Sequence, residues 1–393
     1  MRIAHVCLAS NFTDGLTYQE NLLTAQNARD GHEVCIIADQ SQFTSDGQIV
    51  QTQAGEWVLN NGVRLIRVPL LSLFPKFLTF KLRISLDLYR TLARFKPDVI
   101  LYHGVVGTGL VVVGHYKKRN PDVKLFLDSH EDRHNSGLNW LSKWVQYRFL
   151  TRLFLSFTIK DVEKILCVSF EAMEFLEEHL KVSRDVMELY PLGGDLVEPD
   201  QKHAHRTRIR SSLGFSPDEI VFVHSGKLDR AKRTRELLEA FSRVPDAKFR
   251  LIILGSVPSE ERGEMQKRFA ADSRIVYLGW KIGAELVEHL CAADCYVQPG
   301  TQSATLQIAL CCGLPIVVRP YPSHSIYLVD NGFFVETIDD IVDIFSIVSE
   351  NPSILDEMSK NSYKLARRIL DYRVLASRLT EPFGLVDASP KIS

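Results

Sequence analysis

The sequence predicts an α/β protein with two doubly wound parallel sheets. Three observations carry this. Short apolar, β-compatible runs alternate with helical stretches along most of the 393 residues. A turn-rich, polar break near residue 195 splits the alternation into two series. The composition, 45% hydrophobic and 24% charged, is that of an ordinary globular chain long enough for two cores.

The first series opens with an apolar strand, Ile3–Leu8, a polar loop containing Gly15, and a helical segment around Tyr18–Ala28. Gly31-His32-Glu33 turns the chain into the strand Val34–Ala38. Strand, helix and strand within about 40 residues make a βαβ unit, which implies parallel pairing. Val63–Val68, Val99–Tyr102, Lys124–Leu127 and Lys164–Val168 continue as strands, with a helix over Glu171–His179. Tyr190-Pro191-Leu192-Gly193-Gly194-Asp195 is the break, and polar, basic residues run on to about Arg210. The second series reads Ile220–His224, Phe249–Leu254, Ile275–Tyr277, Cys295–Gln298 and Pro315–Val318 as strands. Helices fit at Thr234–Val244, Gly263–Ala270, Ala284–Ala292 and Thr305–Cys311. The expected domains are 1–195 and 196–370, with 371–393 returning to the first. Two such domains are expected to set their strand-end loops across a shared cleft, where open α/β sheets bind ligands.

Bulk properties narrow the function. A net charge of −1 argues against a general nucleic-acid binder, which needs surplus Lys and Arg. Seven cysteines without a C-x-x-C pair, mostly inside apolar runs, read as buried free thiols in a reducing compartment. Met1-Arg2-Ile3 opens directly into a strand, not a secretory signal, and no run of about 20 apolar residues occurs. A cytoplasmic protein is expected.

Four loops offer groups suited to a diphosphate. Thr13-Asp14-Gly15-Leu16-Thr17 precedes the first helix, where Gly15 allows close backbone approach; a plain turn glycine is the competing reading. Ser225-Gly226-Lys227-Leu228-Asp229-Arg230-Ala231-Lys232 sets three cations just past a buried strand, where they would neutralise a leaving diphosphate. A solvated basic loop is its plainer reading. Tyr277-Leu278-Gly279-Trp280-Lys281-Ile282 exposes backbone suited to a nucleobase edge, or is an ordinary turn. Gln298-Pro299-Gly300-Thr301-Gln302-Ser303-Ala304-Thr305-Leu306-Gln307 follows a strand with a dense set of hydroxyl and amide groups, and Ser303 or Thr305 would cap the next helix.

Taken in order, these loops resemble glycosyltransferase family four of the GT-B fold, over most of the chain. Ser225-Gly226-Lys227-Leu228 through Lys232, then Leu237-Leu238-Glu239-Ala240-Phe241, is similar to that family's G-R-L … K-G … L-L-x-A-F pattern. Gly31-His32-Glu33-Val34, Cys167-Val168-Ser169, Tyr277-Leu278-Gly279, Ala292-Ala293-Asp294-Cys295 and Cys312-Gly313-Leu314-Pro315 complete the series. The resemblance implies two Rossmann-like domains and transfer of a sugar, with retention, from a nucleotide diphosphate donor to a glycan or lipid-linked acceptor in polysaccharide biosynthesis. UDP-glucose is the commonest donor in that family. It places Lys227 and Lys232 at the positions of the family's diphosphate-binding Arg and Lys. It implies Gly15, Gly226, Arg230, Lys281, Ile282, Gln302, Ser303, Ala304, Thr305 and Gln307 as further donor contacts, and neither a cofactor nor a metal.

One departure stands out. The family carries two glutamates eight positions apart before its G-x-P turn, and here those positions fall on Gly300 and Ile308. No acidic residue occurs between Cys295 and Val329. Neutral groups of Gln302, Ser303, Thr305 or Gln307 would have to serve instead, with weaker hydrogen bonds. A catalytically degenerate nucleotide-sugar binder and a sugar-nucleotide epimerase therefore stay open.

In the first domain, Leu127-Asp128-Ser129-His130-Glu131-Asp132-Arg133-His134 packs titratable groups at a strand end. The resemblance gives His130 a place beside the transferred sugar, with Asp128, Glu131 or Asp132 orienting it or accepting from the acceptor hydroxyl. A capped turn with surface acids is the alternative. His103 reads as a satisfied structural histidine. No Asp-x-Asp pair supports a metal, and His130 and His134 do not clearly share a helix face. Leu70–Lys96 is both apolar and basic, with Phe74, Lys76, Phe77, Phe80, Lys81, Arg83, Arg90 and Arg94. It reads either as a helix touching the inner membrane surface or as one packed on its own sheet. A dehydrogenase would need Gly-x-Gly-x-x-Gly after the first strand, and Ala9–Thr17 holds only Gly15.

Overall fold

The computed structural model describes residues 1–16, 18–44, 48–71, 79, 82–131 and 149–381. Thr17, Phe74, Lys76, Phe77, Phe80, Lys81, Asp132, Arg133 and His134, all singled out above, lie outside the described residues. The chain divides into two compact units: Met1–Pro191 with the segment from Leu375, and Leu192–Val374.

In the first unit the strands are β1 Arg2–Cys7, β2 Glu33–Ala38, β3 Ser41–Phe43, β4 Ile49–Gln51, β5 Gly55–Val58, β6 Arg64–Arg67, β7 Val99–Tyr102, β8 Lys124–Ser129, β9 Lys164–Cys167 and β10 Met187–Leu189. Among the described residues, eight of them form one sheet in the order β10-β9-β8-β7-β1-β2-β6-β5, parallel except for the β5 edge. Alternate residues face opposite sides and both sides are buried. Ala4, Val6, Cys35 and Ile37 join one core, while Cys7, Val34, Ile36 and Ala38 join the other. That double burial explains the near-continuous apolar runs, since helices cover both faces of a parallel sheet. The order reverses between β1 and β7, so their carboxyl ends flank the crevice where such sheets take ligands.

A later segment, from Leu375, is tied into the same unit. Within the helix Tyr372–Thr380, the Leu375 carbonyl accepts from the Tyr190 hydroxyl at 2.5 Å. Arg378 pairs with Glu188 and lies 4.8 Å over the Tyr190 ring.

The second unit holds β11 Ile220–Lys227, β12 Phe249–Ser256, β13 Ile275–Tyr277, β14 Cys295–Gln298, β15 Ile316–Val318 and β16 Gly332–Phe334, all parallel, in the order β13-β12-β11-β14-β15-β16. Val221, Val223 and Tyr296 pack on one face; Phe222, Cys295 and Val297 pack on the other. Phe222 anchors the second face against Phe249 and Phe345 at 5.1 and 4.7 Å between ring centroids. This sheet reverses between β11 and β14.

Several elements differ from expectation. The polar stretch before Arg210 is a helix, Pro199–Leu213, with proline in its first turn and Gly214 closing it in a left-handed conformation. Its few apolar residues make no stripe, so periodicity misses it. The helix expected at Glu171–His179 is α-helical only over Phe170–Phe175 and continues as a wider turn to Leu180. Of the apolar, basic stretch, Leu88–Phe95 is a helix whose Leu88, Leu92 and Phe95 are buried in the first core. Among the described residues no helix is long and apolar enough to cross a membrane.

Candidate active site

The second unit's loops meet at its switch point. β11 runs further than expected: Ser225, Gly226 and Lys227 still pair with Leu254, Gly255 and Ser256. The chain then tightens into a 3-10 turn over Arg230–Lys232, where the Asp229 carboxylate accepts from the Lys232 amide at 3.3 Å. This turn folds the Lys232 side chain back. Its Nζ donates to the Thr301 carbonyl at 2.9 Å and to the Gln302 carbonyl. Burial lowers its pKa to about 8, opposed by Asp229. The ammonium is thus half-withdrawn from water against neutral carbonyls, and a nearby anion would restore what it has lost.

The loops after β11 and β14 are therefore one structure. The Thr301 amide donates to the Ala231 carbonyl at 2.9 Å. Gly300 packs so closely on this turn that a Cβ would lie 2.3 Å from the Ala231 carbonyl oxygen and 2.5 Å from Lys232 Cα. The first of the family's two glutamate positions thus has no space for any side chain. The second, Ile308, is packed with the apolar cluster beneath. Gly300→Ala is expected to lower the unfolding free energy by about 1–3 kcal/mol, the usual cost of overpacking. A reduced urea midpoint would report it; an unchanged midpoint would mean that the turn yields freely.

Around this centre, Gly226 lies against the Lys232 stem: its added Cβ would come within 3.4 Å of Lys232 Cε and 4.0 Å of Ser303 Oγ. The buried Tyr296 hydroxyl stands 3.4 Å from Ser225 Oγ, a pairing unseen in the sequence. Neither Ser303 nor Thr305 caps the helix Thr305–Cys311 as expected. Ala304 holds the cap position without a side-chain bond, and Ser303 Oγ reaches only the Thr305 amide, at 3.4 Å. Gln307 serves its own turn. With its amide nitrogen facing acceptors, it donates to the Ser303 and Ala304 carbonyls at 3.2 and 2.9 Å and accepts from the Tyr327 hydroxyl at 3.3 Å.

Other predicted donor contacts sit apart. Lys227 is exposed at the end of β11. Arg230, 82% exposed, pairs with Glu261 at 3.3 Å. Lys281 pairs with Glu285, and Ile282 is exposed at the cap position of the helix Gly283–Cys291. These two follow β13, which β12 separates from β11.

In the first unit, Asp128 is buried at the end of β8. Its Oδ2 lies 2.5 Å from His103 Nδ1 and 3.8 Å from His130 Nε2, and its Oδ1 accepts from the Gly104 amide at 2.6 Å. Gly104 has φ +107°, a conformation that side chains resist, and a Cβ there would strike Ala9 at 2.8 Å. Burial alone would raise the Asp128 pKa, but His103 and then His130 hold it well below the carboxylate range. In turn the His130 imidazole is pushed upward: Asp128, with Glu131 and Glu20, outweighs burial. Water reaching its 43% exposed side chain screens that push. Glu131 accepts from Ser129 Oγ at 2.9 Å, and burial raises its pKa.

Gly15 turns the loop between β1 and the helix Gln19–Arg29 with φ +80°. That loop is pinned by buried Arg67, whose guanidinium donates to the Phe12 carbonyl at 3.0 Å and the Asp39 carbonyl at 2.7 Å. Sequence reasoning missed two further groups. His5 on β1 lies with Nδ1 3.0 Å from His103 Nε2, and its Nε2 lies 2.9 Å from Asn27 Oδ1. A histidine in an apolar strand was the available signal; its partners are 22 and 98 residues away. Among the described residues no group of three or more His, Cys, Asp or Glu side chains is arranged to hold a metal.

Two Rossmann-like units with polar groups gathered at each switch point are the architecture of GT-B glycosyltransferases. HepE of Anabaena, solved with UDP and glucose, is similar over 96% of this chain and 98% of its own, at 14% identity and a TM-score of 0.63. Sucrose-phosphate synthase of Thermosynechococcus elongatus is similar over 96% of each chain, at 15% identity and a TM-score of 0.66. In sequence, the alpha-monoglucosyldiacylglycerol synthase of Acholeplasma laidlawii is 23% identical over 355 residues, 84% of each protein. Residues 16–193 match the glycosyl transferase 4-like domain and residues 219–349 the glycosyl transferases group 1 domain, and the chain belongs to this glycosyltransferase family.

Proposed function

We propose that the protein transfers a hexosyl group from a UDP-sugar, UDP-glucose first among them, to a glycan or lipid-linked acceptor, with retention and without a metal. The observation that carries this is the half-desolvated Lys232 amine at the β11–β14 switch point, in the family's diphosphate-binding position. As the bond from the anomeric carbon to the diphosphate oxygen breaks, negative charge collects on UDP. A preorganised cation there favours the transition state over the ground state. Lys227 adds a second positive charge, and the neutral groups of Gln302, Ser303 and Thr305 take the places of the family's carboxylates. The acceptor oxygen bonds to the anomeric carbon as UDP leaves, and its proton passes to the leaving diphosphate. His130 supports the sugar end. The named relatives support both halves, one solved with UDP and glucose and one a synthase of a glucosylated diacylglycerol. A lipid-linked acceptor would bring the protein into peripheral contact with a membrane.

A second reading, a binder that no longer turns over, is favoured by one observation: neither Gly300 nor Ile308 supplies a carboxylate. Turnover separates the two. In EDTA, UDP or a UDP-hexose at about 100 times its dissociation constant should add roughly 2.7 kcal/mol of stability. UDP release should then follow on adding diacylglycerol or glycan acceptors. Stabilisation by NAD and by no nucleotide sugar would overturn the transferase reading. Binding without release would select the binder, and metal-restored loss in EDTA would refute metal independence.

A further inference from the structure

We propose that His103, backed by His5 and Asn27, is a positioning residue that holds the Asp128 carboxylate ionised and aimed at His130. The inference deepens the function proposed above, since it rests on His130 serving the sugar end.

The observation is a continuous polar chain through the core of the first unit. It runs from Asn27 Oδ1 to His5 at 2.9 Å, on to His103 at 3.0 Å and to Asp128 at 2.5 Å, and ends at His130, 3.8 Å further. It crosses the carboxyl ends of β1, β7 and β8, adjacent strands on both sides of the sheet's reversal. Asn27, His5, His103 and Asp128 are all buried, and the His5 and His103 rings stack at 5.3 Å with 19° between their planes. Buried ionic groups of this kind are often no more stabilising than apolar residues of similar volume. The chain's one half-exposed member is His130.

Proton accounting gives it a direction. An ionised carboxylate only accepts, so the 2.5 Å contact puts a proton on His103 Nδ1. Burial holds His5 neutral, with a pKa near 3, and its Nε2 faces the Asn27 carbonyl oxygen and so carries its proton. His5 Nδ1 is then an acceptor for His103 Nε2, so both His103 nitrogens carry protons and the ring faces Asp128 as an imidazolium. His103 is fixed from behind, and its Nδ1 proton is fixed on Asp128. With Oδ1 held by the Gly104 amide, the carboxylate has one orientation, in which Oδ2 serves both histidines. The other titratable groups that act on Asp128 or His130 are Glu20, Glu131, Cys7, Cys167 and Tyr102. Burial keeps the two thiols and the phenol neutral, so the carboxylates alone raise His130.

The test is a titration of His130 by NMR in the free protein, paired with steady-state kinetics. His103→Gln removes the Nδ1 donor and the positive charge facing Asp128, so the carboxylate holds its remaining partner's proton more tightly and the His130 midpoint should move up. Turnover should fall roughly 10–100-fold, the scale of one charge-assisted hydrogen bond, with KM for the donor within about threefold. His103→Asn keeps a donor near the Nδ1 position without the charge and should restore turnover while the midpoint stays raised. His5→Gln, one step further back, should move the midpoint the same way by less, and serves if His103→Gln does not fold. An unchanged or lowered midpoint in a folded His103→Gln protein overturns the proposal. Because the titration needs no substrate, full activity in a His130→Ala protein would refute the transfer role of His130 and leave the positioning result standing.

Discussion

Replacing His130 with alanine is expected to cut turnover by about 10²–10⁴-fold, the range of a positioned catalytic side chain. UDP affinity should stay within about threefold. The candidate nucleotide contacts at Gly226, Lys232 and Ser303 cluster at the ends of β11 and β14, whereas His130 follows β8 of the other unit. A group that meets only the reacting sugar acts chiefly in the transition state, so its loss should appear in kcat and not in nucleotide binding. UDP release and calorimetric titration with UDP would measure the two separately. Equal losses would mean that His130 holds the nucleotide or the fold, and unchanged turnover would make it structural.

Lys232→Ala should weaken donor binding and slow transfer together, by about 2–4 kcal/mol in kcat/KM. Part of that loss belongs to the tether, because the same amine secures the Thr301 and Gln302 carbonyls. The pH dependence isolates the charge. Burial sets the free amine's pKa at about 8, and a bound diphosphate favours the protonated form and raises it. Binding below pH 8 therefore needs no proton, while binding above it takes one up. UDP affinity should fall as pH rises through 8, by up to tenfold per pH unit, with proton uptake visible as a buffer-dependent enthalpy. In Lys232→Ala the slope should vanish. A flat wild-type profile would show that the amine does not meet the diphosphate.

The fold was legible where burial is two-sided. Val99–Tyr102 and Cys295–Gln298 are fully buried runs bounded by polar turns, and the strands end where the runs end. β11 extends beyond its apolar run because Gly226 and Lys227 pair through backbone alone, which no side-chain pattern announces. The site was legible as separate pieces. Lys232, Ser303, Asp128 and His130 stand out by residue type after strands. That Lys232 reaches Thr301 and Gln302, or that Arg230 turns instead to Glu261, depends on strand order and on one 3-10 turn. His5 was illegible for the same reason: only the neighbouring of β1 and β7 brings it to His103.

The helix Tyr372–Thr380, fastened by its later residues to Tyr190 and Glu188, makes the unit synthesised first the unit finished last. About 180 residues separate Pro191 from Leu375. At 5–20 residues per second, a ribosome needs roughly 10–40 s to cover that interval. During it, Tyr190 waits without the Leu375 carbonyl and Glu188 without Arg378. The second unit is one unbroken stretch from Leu192 to Val374 and has its own strands in hand before the last helix emerges. Assembly on the ribosome thus runs against the order of the chain, and a stop codon near residue 370 would injure the amino-terminal unit before the one that it encloses in sequence.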